Sequence, residues 1–356
     1  MWALIIMTDA TAAAQTGSSM TGNDARVQQI RDWLTGELGF RLVRLEPASA
    51  DASFRRYFRA WAADGATRVV MDAPPDKEDI GPFLKVAALL AACQVHVPQV
   101  HAADSARGLV LLEDLGSDQY LMQLRCGADP DRLYADALQA LLRIQLHGRD
   151  AARQLPPYDR SALEREMALM PEWFCARHLQ LTLDDADRGV LAESFEFLTR
   201  EALAQPLVFV HRDYHSRNLM LLPSGSPGII DFQDALLGPV GYDLVSLLKD
   251  CYIDWPRARV ESWVSAYRAQ LAGSPALAGA SEHEFLRWFD LIGLQRHIKV
   301  LGIFARLWYR DGKPGYLADL PRTFGYVQDA VRRYPELRQF RDWLQRRVLP
   351  AFAGAA

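Results

Sequence analysis

The stretch from residue 207 to 234 limits what this chain can fold into more than any other. It reads Leu-Val-Phe-Val, then His-Arg-Asp-Tyr-His-Ser-Arg-Asn, then Leu-Met-Leu-Leu, a Pro-Ser-Gly-Ser-Pro-Gly turn, and Ile-Ile-Asp-Phe-Gln-Asp. Val208-Phe209-Val210 is a short, apolar, β-prone run, so Asp213 follows directly on a buried strand. The polar stretch Arg212–Asn218 cannot continue that strand and reads as a loop. Leu219–Leu222 is a second strand, and Gly228-Ile229-Ile230 returns antiparallel to it across the turn. A hairpin of this size brings Asp231 back beside Asn218.

Three oxygen-bearing side chains are thereby gathered: Asp213, Asn218 and Asp231. Their order matches the H-R-D-x-x-x-x-N loop and following Asp-Phe of protein-kinase-type phosphoryl transfer. Magnesium prefers octahedral oxygen ligation, usually one or two protein oxygens with phosphates and water, and Asn218 with Asp231 suits it. Asp213 is left to accept a hydrogen bond from an attacking hydroxyl and take its proton. A zinc reading of His211-x-x-x-His215 lacks a following Glu and a nearby Cys.

Around these positions the pattern Asp213-x-His215-x-x-Asn218, followed by Ile-Asp-Phe and by Leu-Gly-Pro-Val-Gly-Tyr-Asp-Leu (237–244), resembles the aminoglycoside phosphotransferase/choline kinase branch. The longer phrase from Asp231 to Tyr252 is similar to bacterial anomeric N-acetylmuramate/N-acetylglucosamine kinases of cell-wall recycling. So are Leu-Pro-Pro-Tyr-Asp (155–159), Glu164–Phe174 and Gly293–Leu307, and the resemblance spans about residues 25 to 350. It implies an α+β, protein-kinase-like bilobal fold, with a small antiparallel-sheet N-lobe and a larger, mainly helical C-lobe. It also implies ATP and Mg2+ as cofactors, and an amino sugar phosphorylated on its C1 hydroxyl. Asp213 would be the catalytic base and Asn218 and Asp231 the metal ligands. Asp243 and His211 would brace the loop, and His215 would stand on the substrate side. Another acceptor (choline, an aminoglycoside, a different sugar) and a nucleotide-binding pseudokinase remain open alternatives.

Composition narrows the rest. The chain has 356 residues, half of them hydrophobic, and a net charge of −4, which points away from disorder and from general nucleic-acid affinity. Cys93, Cys126, Cys175 and Cys251 form no C-x-x-C pair and fit thiols in a reducing cytoplasm. Trp2–Met7 is apolar but too short to span a membrane. Residues 1–22 read as a disordered tail, with Met7 and Met20 as alternative initiators. A cytoplasmic monomer without membrane or nucleic-acid partners is expected.

Along the chain, 23–113 read as the N-lobe, 114–117 as a hinge and 118–356 as the C-lobe. Ala25–Leu38 is an amphipathic helix ended by Gly39. Strands are expected at 40–45, 53–61 and 67–71, a helix at 80–93, an extended run at 95–101 and a strand at 109–113. Helical periodicity then dominates: 131–146, 159–177, 184–203, 257–271, 281–310 and 321–333.

On the nucleotide side the kinase pattern weakens. No glycine-rich loop is present; Ala50–Arg59 takes its place, with Ser53, Phe54 and Arg55 as candidate phosphate contacts, and Arg55 and Arg56 could equally be strand-surface charges. Met71 stands where a third-strand lysine is expected. Glu113 and Leu115 flank the stretch where the resemblance puts adenine recognition. On the acceptor side, Gln295, Lys299, Gly302 and Arg306 fall on one helical face. Such a stripe either meets solvent or, as the resemblance implies, lines the acceptor pocket, where Lys299 or Arg306 would suit a carboxylate. Glu166, Glu172 and Trp173 form a second candidate cluster for sugar hydroxyls and a pyranose face, although aromatics on a helix are more often core.

Overall fold

The computed structural model describes residues 25–50, 54–223 and 227–355. The expected tail at 1–22, Ser53 and part of the turn after Pro223 lie outside the described residues. Two compact units are present: residues up to Gly81 with Gln99–Asp114, and Pro82–Pro98 with Leu115 onward.

The smaller unit is built on five antiparallel strands: β1 (Leu42–Ala50), β2 (Arg56–Ala62), β3 (Thr67–Asp72), β4 (Val100–Asp104) and β5 (Leu109–Glu113), in the order β1-β2-β3-β5-β4. Helix α1 (Ala25–Asp32) and the wider π-turn after it lay Ile30, Trp33 and Leu34 on Leu45, Phe58, Val70, Leu109 and Leu111. That cluster is the core of the sheet's covered face. Gly39 closes the helical segment with a φ of +62°, the left-handed position glycine favours there.

The sequence reading is displaced at two places. The extended run read at 95–101 enters a strand only at its end, since β4 begins at Val100. Helix α2 (Gly81–Ala92) and the segment to Pro98 group with the larger unit, not with a lobe running 23–113. The cause is packing, for Phe83 lies on Phe232 with ring centres 4.9 Å apart. Ile229 N also donates to the His96 carbonyl at 2.8 Å, tying this segment to the hairpin read from the sequence.

The larger unit is mainly helical: α3 (Tyr120–Arg125), α4 (Pro130–His147), α5 (Arg149–Ala152), α6 (Arg160–Met167), α7 (Asp185–Leu203), α8 (Tyr242–Leu248), α9 (Arg257–Gln270), α10 (Glu282–Tyr309) and α11 (Leu320–Arg333). Four short strands interrupt it, β6 (Leu207–Val210) pairing with β9 (Leu236–Pro239), and β7 (Leu219–Met220) with β8 (Gly228–Ile229). β9 and α8 were not legible as elements, since Leu-Leu-Gly-Pro reads as a turn and Tyr242–Leu248 is apolar throughout. The expected 159–177 helix is divided into α6 and a π-helical segment, Met170–His178.

Helix α10 is the spine of this unit. A reciprocal cap starts it: Ser281 Oγ accepts from Glu284 N at 3.2 Å, and Glu284 Oε2 accepts from Ser281 N at 2.9 Å. Its polar stripe faces inward, because Gln295, Lys299 and Gly302 are buried and Arg306 half-buried. At Gly302 a Cβ would stand 2.3 Å from the Leu169 carbonyl carbon, closer than any side chain tolerates. Gly302 therefore seats the α6-to-π junction against α10. Gly302→Ala is expected to cost about 1–3 kcal/mol of stability through overpacking, read as a lower urea midpoint at unchanged slope.

Candidate active site

The loop after β6 is shaped by one carboxylate. Asp243, fully buried in the first turn of α8, accepts from His211 N at 2.6 Å and from Arg212 N at 2.9 Å. Arg212 needs that grip, because its φ is +83°, a conformation non-glycine residues seldom adopt. Burial pushes the Asp243 carboxyl up to about 7, against the two amides, which favour its charged form. His211 is also buried, and burial pushes its imidazole down to about 4, so it is neutral at physiological pH.

A second carboxylate holds the far end of the loop. Buried Asp250 accepts from Ser216 N at 3.0 Å, from the Ser216 hydroxyl, and from Tyr252 N at 3.0 Å. Between these anchors, Asn218 Nδ2 donates to the Asp213 carbonyl at 3.0 Å and to Asp231 Oδ2 at 3.2 Å. Gln233 Nε2 donates to Asp231 Oδ1 at 2.8 Å. Asp231 has a φ of +64°, a second strained residue at the same place. Asp213, Asn218 and Asp231 thus converge as the hairpin reading expects. With its amide nitrogen so engaged, Asn218 directs its oxygen elsewhere, and that oxygen with the Asp231 carboxylate fits the hard, oxygen-rich demand of magnesium.

The charge around Asp213 comes from neighbouring helices. Burial alone would raise its carboxyl, but Lys299 foremost, then His215, Arg296 and Arg212, hold it below the ordinary carboxylate value. Lys299 and Arg212 are themselves organised by Glu166. Lys299 Nζ lies 2.9 Å from Glu166 Oε1, Arg212 donates to the same oxygen, and the Tyr158 hydroxyl donates to the other. Lys299 also donates to the Tyr242 hydroxyl at 3.0 Å, and Gln295 to that of Tyr158 at 3.0 Å.

This network changes the reading of the acceptor cluster. Glu166 is 8% exposed with both oxygens engaged, and Lys299 is its ion-pair partner. Both are buried and paired with each other, not open to a sugar or carboxylate in this structure; with Arg212 on the same carboxylate, two cations share one anion behind Asp213. Glu172 is exposed and Trp173 half-buried on the π-helical segment, whereas Phe174 is core. Arg306 is half-buried within electrostatic reach of Glu172, its Nε without a hydrogen-bond partner among the described residues. His215 is buried and its Nδ1 likewise lacks a partner; burial lowers its pKa.

In the smaller unit, Arg55 pairs with Glu78 at 3.3 Å, and Phe54 N donates to the same carboxylate at 3.2 Å. Phe54 has an exposed ring. Arg56 is held to buried Asp72 at 2.6 Å, and Arg26 of α1 donates to the other oxygen. Met71, beside Asp72, is wholly buried between Tyr57 and Val110, so the lysine position of kinases is here part of the sheet's packing. Glu113 ends β5, its amide donating to the Gln99 carbonyl at 2.8 Å, and Leu115 opens the larger unit with its side chain against Gly228.

Residues 44–289 match the phosphotransferase enzyme family. The chain belongs to that family. A Pseudomonas aeruginosa N-acetylmuramate/N-acetylglucosamine kinase is 48% identical to it, across 90% of this chain and 97% of the relative. The Caulobacter vibrioides protein of the same name is 32% identical over 87% of this chain and 93% of its own length. Among solved structures, a Plasmodium vivax ethanolamine kinase aligns with a TM-score of 0.60 at 15% identity, covering 94% of this chain and 98% of that one. The ADP-bound aminoglycoside phosphotransferase APH(2'')-Ib aligns with a TM-score of 0.55 at 14% identity, covering 86% and 97%. At those identities the likeness is one of fold, the protein-kinase-like α+β fold that the sequence implied.

Arg212, Arg296, Arg217 and Asp250 were not singled out from sequence. Arg212 and Arg217 lie inside the recognised loop, and Arg296 stands three residues before Lys299, so adjacency was the only available signal. Replacing Asp243 by Ala is expected to strand two buried amides and cost roughly 2–5 kcal/mol, measured by denaturant unfolding.

Proposed function

We propose that this phosphotransferase moves the γ-phosphoryl group of ATP onto the C1 hydroxyl of N-acetylmuramate and N-acetylglucosamine, giving the α-1-phosphates. The acceptor reading is supported by relatives of that name at 45–48% identity over about nine-tenths of this chain. The reaction class is supported by the convergence of Asp213, Asn218 and Asp231.

Asp213 would accept a hydrogen bond from the sugar hydroxyl and take its proton as that oxygen bonds to phosphorus. The bond from phosphorus to the bridging oxygen breaks, and ADP leaves with the electron pair. Asn218 and Asp231 would hold magnesium, which when bound neutralises phosphate charge. An anomeric hydroxyl is more acidic than an ordinary alcohol, so a carboxylate held below its usual range is a sufficient base. The product would enter nucleotide-sugar synthesis during peptidoglycan recycling, and the setting would be cytoplasmic. No helix among the described residues is long and apolar enough to cross a membrane.

Asp213→Asn is expected to abolish turnover while leaving thermal unfolding near that of the parent; parental turnover would refute the base assignment. Asp231→Ala should remove magnesium-dependent nucleotide binding, followed by calorimetry with Mg-ADP. An ATP-consumption panel tests the acceptor, since turnover of choline or an aminoglycoside but of neither amino sugar would sink it.

The charge around Asp213 gives a pH prediction. A base must be deprotonated to act, so a lowered pKa carries activity further into acid. Lys299→Met removes the foremost positive influence, and the acid limb of kcat/KM should move up in pH. A limb that stays put would show that Lys299 does not tune the base.

A further inference from the structure

Arg217 stands one residue before Asn218 and four after Asp213, inside the loop that carries the chemistry. Its guanidinium carbon lies 4.7 Å from the ring centre of Tyr252 and 5.9 Å from that of Tyr316. Three other arginines of this unit are ion-paired: Arg212 with Glu166, Arg257 with Asp290, and Arg322 with Asp319. Arg217 is half-buried, and no carboxylate of the described residues lies within ion-pair distance of it. Asp319, the acidic group that acts on it, is already bonded to Arg322 at 2.9 Å.

A half-buried cation without an anion is costly, and aromatic faces offset only part of that cost. The geometry matters as much as the charge. A guanidinium is planar and carries five N–H donors, more than two neighbouring tyrosines engage. One donor serves the Tyr252 side chain. A guanidinium with donors to spare can grip a carboxylate through two parallel hydrogen bonds.

The surroundings suit a sugar. Tyr252 also receives the edge of the His215 ring, at 5.3 Å between centres, and His215 Nδ1 is a buried atom with no partner. Tyr252 and Tyr316 are both half-buried, and buried Phe304 packs behind them, at 6.2 and 5.4 Å from their ring centres. A half-buried cation with no ion-pair partner among the described residues, an orphaned ring nitrogen and two half-buried tyrosines therefore lie on or beside the loop of the proposed base.

The two proposed acceptors differ by a single lactyl group, and with it by one carboxylate. We propose that Arg217 binds that carboxylate and sets the preference for the acidic amino sugar over the neutral one. This rests on the acceptor reading above. Of the two cations that the sequence offered for the role, Lys299 is already occupied by Glu166 and Tyr242, and Arg306 is the rival included in the test below.

The test is steady-state kinetics of the full chain on both sugars at saturating Mg-ATP. In Arg217→Gln, the ratio of kcat/KM for N-acetylmuramate to that for N-acetylglucosamine should fall at least about tenfold, the scale of a hydrogen bond to a charged group. The loss should lie in KM for N-acetylmuramate, and Arg217→Lys should restore part of it. The methyl ester of N-acetylmuramate needs no variant. The parent enzyme should discriminate against it by a similar factor, and Arg217→Gln should lose that discrimination. Equal losses on both sugars, or a raised KM for ATP, would make Arg217 a brace of the loop and overturn the proposal. So would an altered ratio in Arg306→Gln with none in Arg217→Gln, or indifference of the parent enzyme to the ester. Turnover of neither sugar by the parent enzyme would instead remove the acceptor reading, and this proposal with it.

Discussion

The grip of Asp243 on two consecutive amides is the interaction on which the candidate site depends. A carboxylate with two oxygens can satisfy two neighbouring N–H groups only if the backbone turns sharply between them. The turn is taken at Arg212, in a conformation that a side chain normally resists. Once it is made, the next residue, Asp213, leaves the line of β6 and stands clear of the sheet. Asp250 does the same service at the other end of the loop. Two buried acids thus hold eight residues whose own sequence has no regular structure, and the strained backbone at Arg212 is held by a hydrogen bond from outside the loop.

A second layer of order is electrostatic. The cluster of Glu166, Lys299, Arg212 and Tyr158 is closed upon itself, with each charged group hydrogen-bonded or paired. Buried ion pairs are poor sources of net stability, and their use here is better sought in what they do to a neighbour. Two of the cations act on Asp213, favouring the charged form of its carboxyl although it is half-buried. Glu166 keeps those cations where they are. The arrangement separates the proposed base from the group that fixes its surroundings.

Much of this was legible in the sequence, and the reasons for what was not are physical. The hairpin placing Asp231 beside Asn218 was readable because both partners lie within fourteen residues and the turn chemistry is explicit. Long helices with clear caps, such as α10, were readable for the same local reason. The Glu166–Lys299 pair was not, since 133 positions separate the partners and each alone looks like a surface charge or a ligand. Asp72 is a similar case: beside Met71 it reads as the end of a strand, whereas Arg26 and Arg56 converge on it from two other elements. β9 escaped because pairing with β6, not propensity, makes Leu-Leu-Gly-Pro a strand.

The contact at Gly302 gains meaning beside the ion pair one turn away. Glu166 meets Lys299, and three residues further along both segments Leu169 meets Gly302. One contact is polar and attractive, the other steric and intolerant, and they recur at the same interval on both sides. About 4.5 Å of helix rise separates them. Slippage of one segment by a single residue would misplace the charge and drive a side chain into backbone at once. The pair therefore acts as a key and its slot: together they fix the rotational setting of α10, and with it the direction from which positive charge reaches Asp213.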